Sequence, residues 1–360
     1  MKAAVLTEVG KPLSIENIQI SKPKSHEVLV RTAAAGICHS DLHFINGDYP
    51  HPLPAVLGHE SSGVVEAVGE DVTYVKPGDH VITCLSVFCG HCEHCLTGHM
   101  SRCDSPEVKR DSEEEPRLIV GDGDMHQFLS LSSFAEHMLV HEHAIVKIRP
   151  DMPLDRAALI GCGVTTGLGA VFHTAGVEPG TTVAVIGCGG VGLSCINGAA
   201  IAGAGRIIAI DQVPAKLSLA KKFGATDVIN AAEVDPVGQV REMTQGGVHY
   251  SFEAIGLKKT TEQAFKMLGV GGTATVIGMI PVGTMVELHG PDFLKEKKIQ
   301  GTMMGSNRSR VDMPRFVDFY LSGKLKLDDM ISGHLKLEEI NTGIEQLERG
   351  EVARNIILFN

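Results

Sequence analysis

Apolar and polar residues alternate along this chain in two different rhythms. Up to about residue 160 the apolar runs are short, at 28–34, 62–67, 80–85 and 144–148. Turn-forming residues lie between or beside them, among them Val9-Gly10, Lys76-Pro77-Gly78-Asp79 and Gly121-Asp122-Gly123. This pattern predicts a mostly β, irregular domain. From about residue 164, strand-like runs at 182–186, 206–210, 227–229, 250–253 and 273–277 alternate with helical stretches at 191–204, 214–223 and 260–267. Such alternation predicts βαβ units and a doubly wound parallel sheet. From Met304 onward the chain is helix-rich, ends in a strand-like run at 355–359 and has no sheet of its own. The expected fold class is therefore α/β. An irregular β-rich domain spans 1–163, a parallel-sheet domain spans 164–303, and the segment 304–360 packs back to complete the first.

Composition narrows the function. The 360 residues carry 43% hydrophobic and 21% charged side chains, which excludes a disordered chain. A formal net charge of −11 repels phosphate backbones and anionic lipid, so neither nucleic acid nor a membrane surface is an expected partner. The stretch 179–205 has no charge, but its eight glycines and Asn197 point to a strand, a turn and a helix rather than a membrane span. The opening Met1-Lys2-Ala3-Ala4-Val5-Leu6 lacks the apolar core of a secretory leader, and a cytoplasmic protein is expected. The charge-dense run 107–117 reads as a solvated loop.

Gly187-Cys188-Gly189-Gly190-Val191-Gly192 fits G-x-G-x-x-G in the right setting. An apolar strand enters it, a helix of small apolar residues leaves it, and Asp211 stands 19 residues after Gly192 at the end of the next strand. Gly187 permits the tight turn, Gly189 lets backbone approach a pyrophosphate, and Gly192 allows close helix–sheet contact. The helix N-terminus offers free N–H groups to the phosphates. An acid at Asp211 would bind both ribose hydroxyls and repel a 2′-phosphate, which predicts NAD over NADP.

Nine cysteines in a reducing compartment suggest a metal rather than disulfides. Cys89, Cys92, Cys95 and Cys103 supply four soft ligands in one lobe, as a closed, structural zinc requires, with His91, His94 and His99 read as solvated. A second set is discontinuous: Cys38-His39-Ser40-Asp41-Leu42-His43, Gly58-His59-Glu60 and Gly161-Cys162-Gly163. Spacing alone does not group these three, since each reads equally as a buried cysteine or a capping histidine. Brought together, two thiolates and one imidazole would leave a zinc coordination position open for catalysis.

Gly58-His59-Glu60 with Gly63 downstream, the four-cysteine lobe and Gly161-Cys162-Gly163-Val164-Thr165-Thr166-Gly167 resemble the zinc-dependent alcohol dehydrogenases of the medium-chain dehydrogenase/reductase superfamily. The resemblance runs from the first strand to Arg354-Asn355-Ile356-Ile357 and implies a GroES-like catalytic domain with a Rossmann domain. It implies that Cys38, His59 and Cys162 hold catalytic zinc, that Glu60 sits behind the metal or binds it transiently, and that Asp41 orients His59. It implies further that Ser40 takes the alcohol proton and that His43 ends a relay to solvent. His39 and Arg354 would meet the pyrophosphate, Thr166 the nicotinamide and Lys216 the adenosine ribose, beside Gly190 and Val191 of the turn. Tyr49, Leu85, Phe128, Met279 and Met303 fall at substrate-lining positions. Two departures stand out: His39 replaces an arginine of many relatives, and Leu85 replaces a phenylalanine of some. The expected function is reversible oxidation of a medium-chain, allylic or aryl primary alcohol with NAD and two zinc ions per chain, by a homodimer or homotetramer. Rival readings are a thiol-adduct formaldehyde dehydrogenase and an alcohol dehydrogenase with tightly held NAD and a second electron acceptor. More remote is a non-catalytic structural or nucleotide-binding protein.

Overall fold

The computed structural model describes the chain except for Ser112, Gly121, Asp122 and Asn360 and, beyond the backbone, Gly123 and Asp124. The expected turn at Gly121-Asp122-Gly123 therefore lies largely outside the described residues. The chain forms two compact units, 1–163 with 308–360, and 164–307. The second boundary falls beyond the expected 303 because Met304–Ser306 belongs with the helical segment at 165–175. There the Ser306 and Thr174 hydroxyls lie 2.9 Å apart, and a side chain on Gly169 would meet the Gly305 carbonyl.

In the first unit, alternating burial along Glu27–Gly36 marks a strand with one strongly packed face. It lies in a seven-stranded sheet in the order Ile145–Lys147, His80–Thr83, Glu60–Val68, Glu27–Gly36, Arg354–Leu358, Ile331–Leu335, and His137–His141 also pairs with it. The C-terminal segment thus returns to this unit, its last strand running antiparallel to Glu27–Gly36. Beside that sheet, a core of Leu6, Leu57, Phe128, Phe134, Ile340 and Ile357 is almost wholly withdrawn from water. Each such large apolar side chain contributes about 1.5–3 kcal/mol.

One expectation changes here. The run 107–117 is not simply a solvated loop: Arg110 and Arg117 turn inward onto the buried Glu27, at 2.5 and 2.7 Å. Burial pushes the Glu27 pKa up, but hydrogen bonds from Arg110, the Lys24 amide and Arg117 outweigh it and bring it down to about 2.

In the second unit six parallel strands follow the order Asp227–Asn230, Arg206–Asp211, Thr182–Ile186, Val248–Glu253, Leu268–Val276, Lys298–Gly301. This is the 3-2-1-4-5-6 order of dinucleotide-binding sheets, in which ligands bind at the carboxyl ends where the order reverses. β-branched residues occupy four of the five positions of Thr182–Ile186, and Gly190–Ile201 is apolar on nearly every face, as a helix enclosed against a sheet must be. The edge strand Lys298–Gly301 has no counterpart in the sequence pattern. A helical run over Leu154–Ala175 is also new. It is long and apolar enough to cross a membrane by length and composition, but 83% of its most apolar stretch is buried within the protein.

Candidate active site

The glycine turn sits at the carboxyl end of Thr182–Ile186. Gly187 has φ +94°, and a side chain on Gly192 would stand 1.7 Å from the Gly187 carbonyl oxygen, so the turn and the first helical residues are compressed together. Beside Gly189 the space is open. The Asp211 carboxylate accepts from the Cys188 amide at 2.8 Å and from the Gln212 and Val213 amides at 2.8 and 3.0 Å, which ties the two strand ends together. Thr166 is nearly buried, with its hydroxyl 3.4 Å from the Met304 sulfur, and Lys216 lies half-buried in the first turn of the Pro214–Lys222 helix.

The four-cysteine lobe is assembled around a short helix, Glu93–Leu96. All four sulfurs lie within 4.8 Å of one another, with individual separations of 3.5 and 3.9 Å. Ligands about 2.3 Å from a tetrahedral zinc stand about 3.8 Å apart, so the set fits that ion. His91 is exposed and pairs with Glu107 at 3.2 Å, while His99 meets Thr97.

The discontinuous set is brought together by strand register. Gly36 pairs with Glu60, which places Cys38 and His59 side by side just beyond the strand ends. The helical run carrying Cys162 packs so tightly here that a side chain on Gly161 would meet the Ser61 amide at 3.1 Å. The ligand atoms of Cys38, His59 and Cys162 all lie within 4.8 Å of one another, and all three residues are buried. His59 Nδ1 lies 3.0 Å from Asp41 Oδ1, and its buried Nε2 has no hydrogen-bond partner among the described residues. Asp41 also accepts from the Cys38 and Gly58 amides at 3.1 and 3.3 Å. An acceptor carboxylate at Nδ1 keeps the proton there and leaves Nε2 as a lone pair in a dry site beside two sulfurs, which is what a metal ion needs. Two thiolates with one imidazole form the catalytic zinc set known in alcohol dehydrogenases, and the residues present fit it.

Glu60 is fully buried. Its oxygens accept from the Gly163 amide at 2.9 Å and from Arg354 Nε at 3.1 Å. Burial raises its pKa to about 7, against the opposing pull of Arg354. The Arg354 guanidinium, for which a pyrophosphate contact is expected, is buried against Glu60 and, at 3.4 Å, the Cys38 sulfur. The carboxylate and the thiol attract it there. A hydrogen bond from Cys162 and the positive charge of Arg354 favour the Cys38 thiolate, and the Cys162 thiol is pushed up correspondingly.

Ser40 Oγ lies 3.7 Å from Cys38 Sγ. His39 is exposed and meets the His43 ring edge-on at 5.6 Å. His43 Nδ1 lies 2.9 Å from Asp48 Oδ2, a partner that sequence reasoning missed because an acid five residues on carries no motif. Of the five expected pocket residues, Tyr49 and Leu85 are half-buried in the first unit. Phe128 is enclosed, its ring packed against Phe44, His51 and His59 at 4.7, 5.3 and 5.9 Å. It packs edge-on against the His59 imidazole and is fully buried. Met279 and Met303 belong to the second unit, Met279 half-buried and Met303 59% exposed.

This geometry defines a zinc-binding dehydrogenase. Comparison with known proteins agrees: residues 24–150 match the alcohol dehydrogenase GroES-like domain and residues 190–322 the zinc-binding dehydrogenase domain. Alcohol dehydrogenase 1 of Pisum sativum is 38% identical over 365 residues, 99% of this chain and 96% of that one. Benzyl alcohol dehydrogenase from Acinetobacter calcoaceticus superposes with a TM-score of 0.94 at 36% identity, over 100% of this chain and 99% of its own. A structure from Sinorhizobium meliloti 1021, described as a zinc-binding dehydrogenase and bound to NADP, gives 0.83 at 26% identity over 99% of both chains. The chain belongs to the zinc-dependent alcohol dehydrogenases of the medium-chain dehydrogenase/reductase superfamily. It is an oxidoreductase that acts on alcohols with zinc and a nucleotide cofactor.

Proposed function

We propose that the protein interconverts medium-chain, allylic or aryl primary alcohols and their aldehydes, with NAD as hydride carrier and two zinc ions per chain. The observation that carries this reading is the buried Cys38, His59 and Cys162 set, with His59 Nε2 unpartnered among the described residues. A zinc ion there supplies Lewis acidity toward the alcohol oxygen, and a nicotinamide dinucleotide at the glycine turn supplies the hydride acceptor. The chain's own residues do the rest. Asp41 holds the His59 ring and its tautomer, and Phe128 packs edge-on against it. Glu60 and Arg354 balance charge beneath the ligands. The Ser40 hydroxyl receives the alcohol proton, and His43 returns it to solvent. Cys89, Cys92, Cys95 and Cys103 hold a closed second ion that takes no part in the chemistry.

Asp211 favours NAD because its carboxylate would pair with ribose hydroxyls and repel a 2′-phosphate. Leu85, where some relatives have a ring, leaves room for longer or aromatic substrates, and the benzyl alcohol dehydrogenase likeness supports that choice. A second copy of the chain is the expected partner. Lys298–Gly301 pairs on one side with Leu268–Val276 and has no strand on its other side among the described residues, and the segment before it exposes Val282, Met285 and Leu294 at 69, 77 and 89%. The test is a panel of alcohols with NAD and NADP, read by nicotinamide absorbance, beside metal analysis of the same sample. Medium-chain or benzylic alcohols should lead, with NAD and two zinc ions. Ethanol as the best substrate, or about one zinc per active chain, would refute the proposal.

A further inference from the structure

The turn after the His39–Ile45 helix doubles back sharply. Gly47 has φ +78°, and a side chain there would meet Val9 at 2.7 Å, so only glycine fits without displacing that neighbour. The turn places the Asp48 amide 2.9 Å from the His43 carbonyl oxygen and the Asp48 carboxylate 2.9 Å from His43 Nδ1. The carboxylate is acceptor-only, so Nδ1 carries the proton and donates it. His39 and Tyr49 meet the same imidazole edge-on at 5.6 and 5.9 Å. Among the described residues, Asp48, His39 and Tyr49 are the titratable groups seen against the His43 ring.

We propose that Asp48 is a positioning residue for proton transfer: it fixes the His43 tautomer so that Nε2 is the atom that accepts the proton, and it neutralises the imidazolium until the proton reaches water. This rests on the reading of His43 as the outer base of the relay. The logic is that of any base oriented by a carboxylate at its second nitrogen. The His43 side chain is 14% exposed and that of Asp48 38%, so solvent shares in holding the ring and the effect is moderate. Asparagine at 48 can turn either its oxygen or its amide nitrogen toward Nδ1, which ends the tautomer preference and removes the charge.

The test uses zinc- and NAD-loaded protein. In the ¹⁵N NMR spectrum of histidine-labelled enzyme, the His43 ring, identified by its loss in His43→Gln, should carry its proton on Nδ1. In Asp48→Asn it should become a mixture of tautomers while zinc content stays unchanged. The alcohol oxidation kcat of Asp48→Asn should fall about fivefold near neutral pH, the weight of one partly solvated hydrogen bond, with KM little changed. The deficit should close near pH 10, where hydroxide replaces the base. In a His43→Gln background Asp48→Asn should have no further effect. A uniform loss across pH, or one that persists in that background, would make Asp48 a merely structural turn residue. If His43→Gln slows the neutral-pH reaction while Asp48→Asn changes neither spectrum nor rate, the inference falls alone. If His43→Gln leaves the pH profile unaltered, the relay reading falls with it.

Discussion

Replacing Asp41 with asparagine is nearly isosteric, yet the structure makes it costly. Three donors share its two carboxylate oxygens: the Gly58 amide and His59 Nδ1 at Oδ1, and the Cys38 amide at Oδ2. Asp41 is fully buried, and asparagine offers one acceptor where two are needed. With its amide nitrogen toward Cys38, N–H faces N–H. With the nitrogen toward Gly58 and His59, the imidazole must shift its proton to Nε2, the nitrogen a metal needs. A buried donor left unsatisfied costs about 1–3 kcal/mol. At about 1.4 kcal/mol per decade, Asp41→Asn should bind catalytic zinc roughly ten- to a hundredfold more weakly. The four-cysteine lobe should keep its ion. Metal analysis across a series of chelator concentrations reads both sites, and excess zinc should restore activity. Unchanged zinc retention, or equal loss from both sites, would refute the reasoning.

Three other outcomes follow from the same structure. Glu27, lowered from its ordinary 4.5 to about 2, stabilises the fold above pH 4.5 and loses that contribution as pH falls through 2. A shift of that size is worth about 3 kcal/mol, so Glu27→Gln should lower the denaturation free energy by up to that amount near neutral pH and by about half as much near pH 3; equal differences at both would exclude the linkage. Asp211→Gly should narrow NAD preference over NADP, which is expected to be about tenfold or more in the parent enzyme. Because Asp211 also accepts from the Cys188 amide, the variant should lose more NAD affinity than it gains for NADP. Calorimetric Kd values for both cofactors decide this, and equal use of both by the parent enzyme would count against Asp211. Leu85→Phe should lower kcat/KM for benzylic and medium-chain alcohols and spare ethanol, erasing a gain of up to about 0.8 kcal/mol per added methylene. A variant that slows all alcohols alike would remove Leu85 from the pocket.

What could be read from sequence was whatever is local. The four-cysteine ligands fall within one lobe and the glycine turn within six residues, between a strand and a helix whose apolar pattern identifies them. Short segments of this kind carry their own geometry. The residues of the other metal set do not group themselves by spacing, and only the resemblance joins them. Cys38, His59 and Cys162 meet because Gly36 pairs with Glu60 and because the helical run holding Cys162 lies against Ser61. Arg354 reaches Glu60 across 294 residues because Ile356 pairs with Gly36, which brings the start of the last strand level with Cys38. The run 107–117 reads as solvated because it is dense in charges of both signs and carries no apolar pattern, yet Arg110 and Arg117 bury themselves on Glu27, 83 and 90 residues away. Hydrogen-bond register and charge pairing act between strands and loops distant along the chain. Only tertiary packing decides which of those distant groups share a dry site, and so where a metal ion or a buried charge can be held.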